Sequence, residues 1–149
     1  MKRLRTARFA ALVLVAGAVL SGCATDLSSA VMPGVQVPEL SPVYVVCNPQ
    51  ENADICALIA AFLEGHGIRA SRGDADAIPP TAVAVVTYED RWMWDGLLYL
   101  LTLRVDLRDP KTNVLLATAR SFRTSLARKT PTTVVRQVVG ALFDEGKAA

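Results

Sequence analysis

The run LLYLLTLRVDL, residues 97–107, constrains the fold of this chain more than any other stretch. Successive side chains of a strand point to opposite faces, so Leu97, Tyr99, Leu101, Leu103, Val105 and Leu107 share one side and Thr102, Arg104 and Asp106 the other. Six large apolar groups in a row cannot be left in water. The run therefore predicts a strand inside a sheet that is covered on its apolar face, because an isolated strand or hairpin buries too little to hold itself together.

Neighbouring segments supply partners for that strand. TAVAVVTYEDRWMW, residues 81–94, alternates in the same way, with Ala82, Ala84, Val86, Tyr88, Trp92 and Trp94 on one face if no bulge intervenes. Asp109, Pro110, Lys111, Thr112 and Asn113 predict a turn, and VLLATARSFRTS beyond it a further strand. Upstream, VYVVC (43–47) reads as a short strand buried on both faces, and IRAS (68–71) as a short, weakly marked one. Between these two, Ile55, Leu58, Ile59 and Phe62 fall at i, i+3, i+4 and i+7, one apolar stripe of a helix that Asp54 suits at its start and Gly65 or Gly67 at its end. Thr130 and Pro131 suit the cap and first position of a last helix, with Val135, Val138, Val139 and Leu142 inward. The order β-α-β-β-β-β-α predicts a single α+β domain with a mixed or mainly antiparallel sheet of four to five strands and two helices. Strands in series pair antiparallel, and the opening β-α-β unit implies one parallel neighbour.

The N-terminus addresses location. Lys2, Arg3, Arg5 and Arg8 precede a nearly unbroken apolar run from Phe9 to Leu20. About a dozen residues is short of the roughly 20 that a spanning helix needs, and small residues follow, as in a secretory signal. Leu20-Ser21-Gly22-Cys23 closely resembles the lipobox of bacterial lipoproteins. That resemblance implies cleavage after residue 22, a diacylglycerol and a fatty acyl group on Cys23, and a membrane anchor with no catalytic part. An ordinary signal peptide that happens to contain a cysteine is the alternative. Ala24 and Thr25 stand where such lipoproteins carry an aspartate when they are retained in the inner membrane, so the resemblance implies the outer membrane. Residues 24–41 hold prolines, a glycine and small polar residues without periodicity, and residues 23–41 read as a lipidated, flexible tether. The domain is expected over 42–146, with a tail at 147–149.

Removing the signal changes the charge. Four of the 16 Lys and Arg leave with it and all 14 Asp and Glu remain, so 12 bases face 14 acids, a net of about −2 in place of +2. Nothing in that balance supports nucleic-acid binding. With Cys23 lipidated, Cys47 and Cys56 form an even pair in an oxidising compartment, where a bridge would tie the end of a strand to the first turns of the next helix. Two buried free thiols remain open; a redox pair lacks C-x-x-C spacing, and a zinc site would have only His66 to help.

Marks of an enzyme are absent from the motifs. His66, the single histidine, lies in EGHGI at a helix end, where capping accounts for it. CNPQEN after the first strand is no phosphate-cradling loop, and Glu89 and Asp90 point to opposite faces of a strand. Two features are candidate binding surfaces. Tyr88, Trp92 and Trp94 form an aromatic strand face, for which packing under a helix is the plainer use. Arg123, Arg128 and Lys129 precede the last helix start, suited to an anion or simply to solvent. YEDRWMWDGLLYLLTLRVDLRDPKTNVLLATARS, about a third of the mature chain, is similar to the tryptophan-containing hairpin of small bacterial lipoprotein families of uncharacterised function. That resemblance brings no catalytic residues with it. The expectation is a lipid-anchored periplasmic binding or accessory module for another envelope protein, without metal or cofactor; a carrier or sensor of a small molecule or anion is the alternative.

Overall fold

A computed structural model describes residues 25–145, which form one α+β domain: a six-stranded mixed sheet covered on one face by two helices. Strands β1 (Thr25–Val31), β2 (Val43–Val46), β3 (Ala70–Gly73), β4 (Ala84–Trp94), β5 (Leu98–Arg108) and β6 (Leu115–Arg123) lie in the order β1-β6-β5-β4-β2-β3. Helix α1 spans Ile55–Gly65 and α2 spans Pro131–Glu145. β2 runs parallel to β3 and to β4, as the β-α-β unit implies, and the remaining pairs are antiparallel. The lipobox, Cys23 and the tail at 147–149 lie outside the described residues.

Local chemistry accounts for the helices. Asp54 caps α1 by accepting from the Ala57 N–H (3.1 Å), and the chain leaves it through Gly67 at φ +81°. Thr130 caps α2 by accepting from the Thr133 N–H (3.3 Å), and Pro131 takes the first helical position. α1 lies over β2 and β3, α2 over β1, β5 and β6, and the helices touch each other. The apolar layer holds Ile55, Ile59 and Leu63 of α1, Val135, Val138, Val139 and Leu142 of α2, and Val43, Val45, Val86, Leu103, Val105 and Leu107 of the sheet. The bond between Cys47 and Cys56 joins the end of β2 to the first turn of α1.

Two expectations are corrected. Of the expected tether at 23–41, the described part, 25–41, is ordered into the domain: β1 pairs along its whole length with β6, from Thr25 opposite Arg123 to Val31 opposite Ala117. A 3-10 turn at Val37–Glu39 then buries Val37 completely. TDLSSAV has no strand periodicity because an edge strand with both faces largely exposed needs none, and its conformation comes from the neighbour it pairs with. The second correction is a bulge. Arg91 pairs with Thr102 but Trp92 with Leu100, so Leu101 is an extra residue in β5. The strict alternation of 97–107 therefore breaks: Leu100, not Leu101, joins Leu103 in the core.

Candidate functional site

Because both helices lie on one side, alternate positions of the central strands make a second, helix-free face. The register lays them out in rows. Thr87, Asp106, Thr118 and Ala30 form one row; Glu89, Arg104, Arg120 and Ser28 the next; Arg91, Thr102, Phe122 and Asp26 the third. Glu89, Arg91, Leu101, Thr102, Arg104, Arg120 and Phe122 line a hollow of about 360 Å³ on this face. Arg104 and Arg120 stand directly opposite one another on neighbouring strands.

Asp106 anchors one side of the hollow. It accepts from Arg104 Nε (2.9 Å), Arg108 Nη2 (3.0 Å) and the Thr118 hydroxyl (2.6 Å). Burial pushes its carboxyl up, but the hydrogen bonds from Thr118, Arg104 and Arg108 outweigh that and hold it below the ordinary aspartate value. Arg104 is thus fixed in place through its Nε. Arg91 and Arg120 are exposed. The site offers positive, planar hydrogen-bond donors beside an aromatic ring, which suits carboxylates or other oxyanions.

The residues singled out from sequence separate. Arg123 is not part of an exposed basic cluster: it is 5 % exposed, because positions 117, 119, 121 and 123 of β6 face α2. Its Nη2 bonds Gln137 Oε1, and its Nε has no partner among the described residues. Arg128 is held at the far end of the sheet, 3.1 Å from Asp95 and over the Tyr99 ring at 5.2 Å. Lys129 is exposed. With Thr130 capping α2, these three bases do not form one site at a free helix start.

The tryptophans also divide. Trp92 packs against the core and donates its Nε1–H to Asp90 (2.7 Å), whereas Trp94 is 68 % exposed. Tyr88 is half-buried, donates to Glu51 Oε2 (2.5 Å) and accepts from the Asn48 N–H (2.9 Å). Burial, with the neighbouring carboxylate, raises its pKa well above the usual tyrosine value. His66 closes α1, donating Nδ1–H to the Phe62 carbonyl (2.9 Å) and stacking between Phe62 and Phe143. Sequence reading missed the helix-free face because Arg91, Arg104 and Arg120 come from three strands. The period-2 placement of Thr102, Arg104 and Asp106 was the available signal for it.

No family model matches the chain, and no curated protein sequence does. Solved structures do match. A PelC dodecamer from Paraburkholderia phytofirmans has a TM-score of 0.57 at 17% identity, covering 82% of this chain and 96% of that one. A variant PelC dodecamer from the same organism gives 0.58 at 16%, covering 84% and 99%. A DUF4136 family protein from Bacteroides thetaiotaomicron gives 0.54 at 9%, covering 81% and 95%. At these identities the likeness is one of fold: the two-layer α+β domain of this chain is the architecture those small bacterial proteins share over nearly their whole length.

Proposed function

We propose that the protein is a lipid-anchored lipoprotein of the outer membrane, facing the periplasm, whose domain binds an acidic segment of another cell-envelope protein on the helix-free face of its sheet. The observation that carries this reading is the arginine pair Arg104 and Arg120, directly opposite on adjacent strands. Like charges so placed oppose folding, and rules of local consistency are broken chiefly where function requires it. Arg91 brings a third cation to the hollow, against Glu89 in its lining and Asp106 at its side, whose carboxylate is already engaged by Arg104, Arg108 and Thr118. A carboxylate-bearing segment laid across these rows would offset the repulsion through charge-assisted hydrogen bonds, with Phe122 and Leu101 giving apolar contact. The basic start, the short apolar run and Leu20-Ser21-Gly22-Cys23 support the anchor. The PelC neighbours are dodecamers, a precedent for this fold in protein contacts. Binding, not catalysis, also suits His66, whose ring is engaged with Phe62 and Phe143 at a helix end.

A photoreactive phenylalanine analogue at position 122 of the full-length protein tests this in intact cells. A crosslink to a single envelope protein is expected, and it should disappear in Arg91→Glu/Arg120→Glu, a pair of exposed sites that leaves protein levels unchanged. An undiminished crosslink in that variant, or none in either protein, would defeat the reading.

A further inference from the structure

Five large apolar side chains are exposed at one end of the domain: Met93, Trp94, Leu97 and Leu98 around the β4–β5 turn, and Leu126 in the 3-10 turn Ser125–Ala127. Leu126 is 94 % exposed, Leu97 65 % and Leu98 51 %. These two segments sit side by side, since Arg128, just after the 3-10 turn, reaches Asp95 and the Tyr99 ring in the hairpin. The hairpin also projects. Its last row shared with β6 is Thr102 opposite Phe122, so Leu98 to Leu101 run past the end of β6, and Leu98 to Leu100 pair with β4 alone. Four strand residues span about 13 Å.

The register also places the start of the described chain at this end. β6 runs antiparallel to β5 and β1 antiparallel to β6, so Thr25 lies opposite Arg123, immediately before the Leu126 turn. Cys23 precedes Thr25 by two residues, and two residues span at most about 7 Å. A lipidated Cys23 therefore cannot hold this domain away from its membrane. The end that the membrane meets is the end that carries the exposed leucines and Trp94.

We infer that the β4–β5 hairpin tip and the Leu126 turn form a wedge that enters the phospholipid leaflet holding Cys23. The inference rests on the anchor reading and deepens it. An apolar cluster of this kind is unusual on a monomer surface unless something covers it, and tryptophan and leucine are the side chains that interfacial anchors bury about 5–10 Å into the headgroup and acyl boundary. Exposed Lys129, next to Arg128, falls where headgroup phosphates would be. Seated this way, the domain stands with its strands steep to the surface and its arginine rows open to the periplasm at the side.

The test uses full-length protein carrying Trp92→Phe, which leaves Trp94 as the sole tryptophan. It is reconstituted in phosphatidylethanolamine/phosphatidylglycerol vesicles in which half the lipid is brominated in its acyl chains. Trp94 emission should be quenched roughly twofold or more by the brominated lipid and shielded from iodide in the water. Leu97→Ser/Leu126→Ser in the same background should keep its thermal midpoint and lose most of the quenching. If the Trp92→Phe background is unfolded by circular dichroism, a nitroxide at Leu97→Cys in the otherwise native chain gives the same depth reading. Trp94 that is open to iodide and untouched by brominated lipid overturns the wedge, as does a nitroxide that reports water. If those leucines are then still needed for the photocrosslink described above, the tip is a protein contact. Radiolabelled palmitate keeps the two ideas apart. Label in the native chain but not in Cys23→Ser, with Trp94 in water, sinks the wedge alone. Equal label in both sinks the anchor, and with it the inference.

Discussion

The two faces of the sheet are made by the same strands and obey opposite rules. On the covered face, Val86, Leu103, Val105, Leu107, Ala117 and Ala119 leave almost no accessible surface. On the other, one position away along each strand, stand Glu89, Arg91, Arg104, Arg108 and Arg120. Stability comes from the first face, where each buried leucine or valine side chain contributes roughly 1.5–3 kcal/mol over exposure. That surplus lets the second face hold two arginines in direct opposition. The difference teaches where function can be sought: on the side whose residues the fold does not need.

The sharpest test of this division is a matched pair. Leu103→Ala should cost about 2–5 kcal/mol in denaturant unfolding, since the side chain is fully buried beneath the helices. Arg120→Ala, on the facing strand and the free face, should shift stability by no more than about 0.5 kcal/mol, or raise it by removing repulsion. Comparable losses in both would mean that the helix-free face is structural. Next in size is the pair Trp92 and Trp94, which share a strand side yet differ in cover. Trp92→Ala should cost about 2 kcal/mol through lost packing and the lost bond to Asp90, and Trp94→Ala less than about 0.5 kcal/mol. Equal effects would place the edge of the core beyond the hairpin tip.

How much of this was legible follows from what each segment reports about itself. α1 and α2 could be read because Ile55 and Ile59, or Val135, Val138, Val139 and Leu142, carry a 3.6-residue period, and Asp54, Thr130 and Pro131 mark the starts. The parallel β2–β3 pair followed from chain order. β1 was illegible: Thr25–Val31 is a strand only through β6, and a pattern confined to seven largely exposed residues does not reveal a partner 86 to 98 residues away. The bulge at Leu101 was equally hidden, since LLYLL reads the same in either phase until Trp92 is set against Leu100. Arg123 shows the reverse case: its neighbours in sequence, Arg128 and Lys129, suggested a cluster, while strand alternation turned it under α2 against Gln137. The Asp95–Gly96 pair, with Gly96 at φ +93°, was an available turn signal for the hairpin tip.

Asp106 is the exception that tests the comparison most finely, a buried charge on the free face. Its side chain is 10% exposed and its carboxylate is bonded by Arg104, Arg108 and Thr118. The sign of its linkage follows from its lowered pKa. Above the ordinary aspartate value of 3.8 the ionised, bonded form favours the folded state, and that contribution is lost as pH falls through 3.8 toward the lower folded value. Asp106→Asn should therefore be less stable than the native chain by about 1–2 kcal/mol near neutral pH, the worth of the charge-assisted bonds that an amide makes more weakly. The gap should stay level down to about pH 5 and narrow below about pH 4, as the native carboxylate takes up its proton. Urea unfolding of both proteins between pH 3 and pH 7 measures it. A gap that is constant throughout would mean that Asp106 contributes shape but not charge, leaving Arg104 free to turn toward Arg120 and a ligand. A gap that closes in acid would make Asp106 the group that holds one arginine of the pair in position.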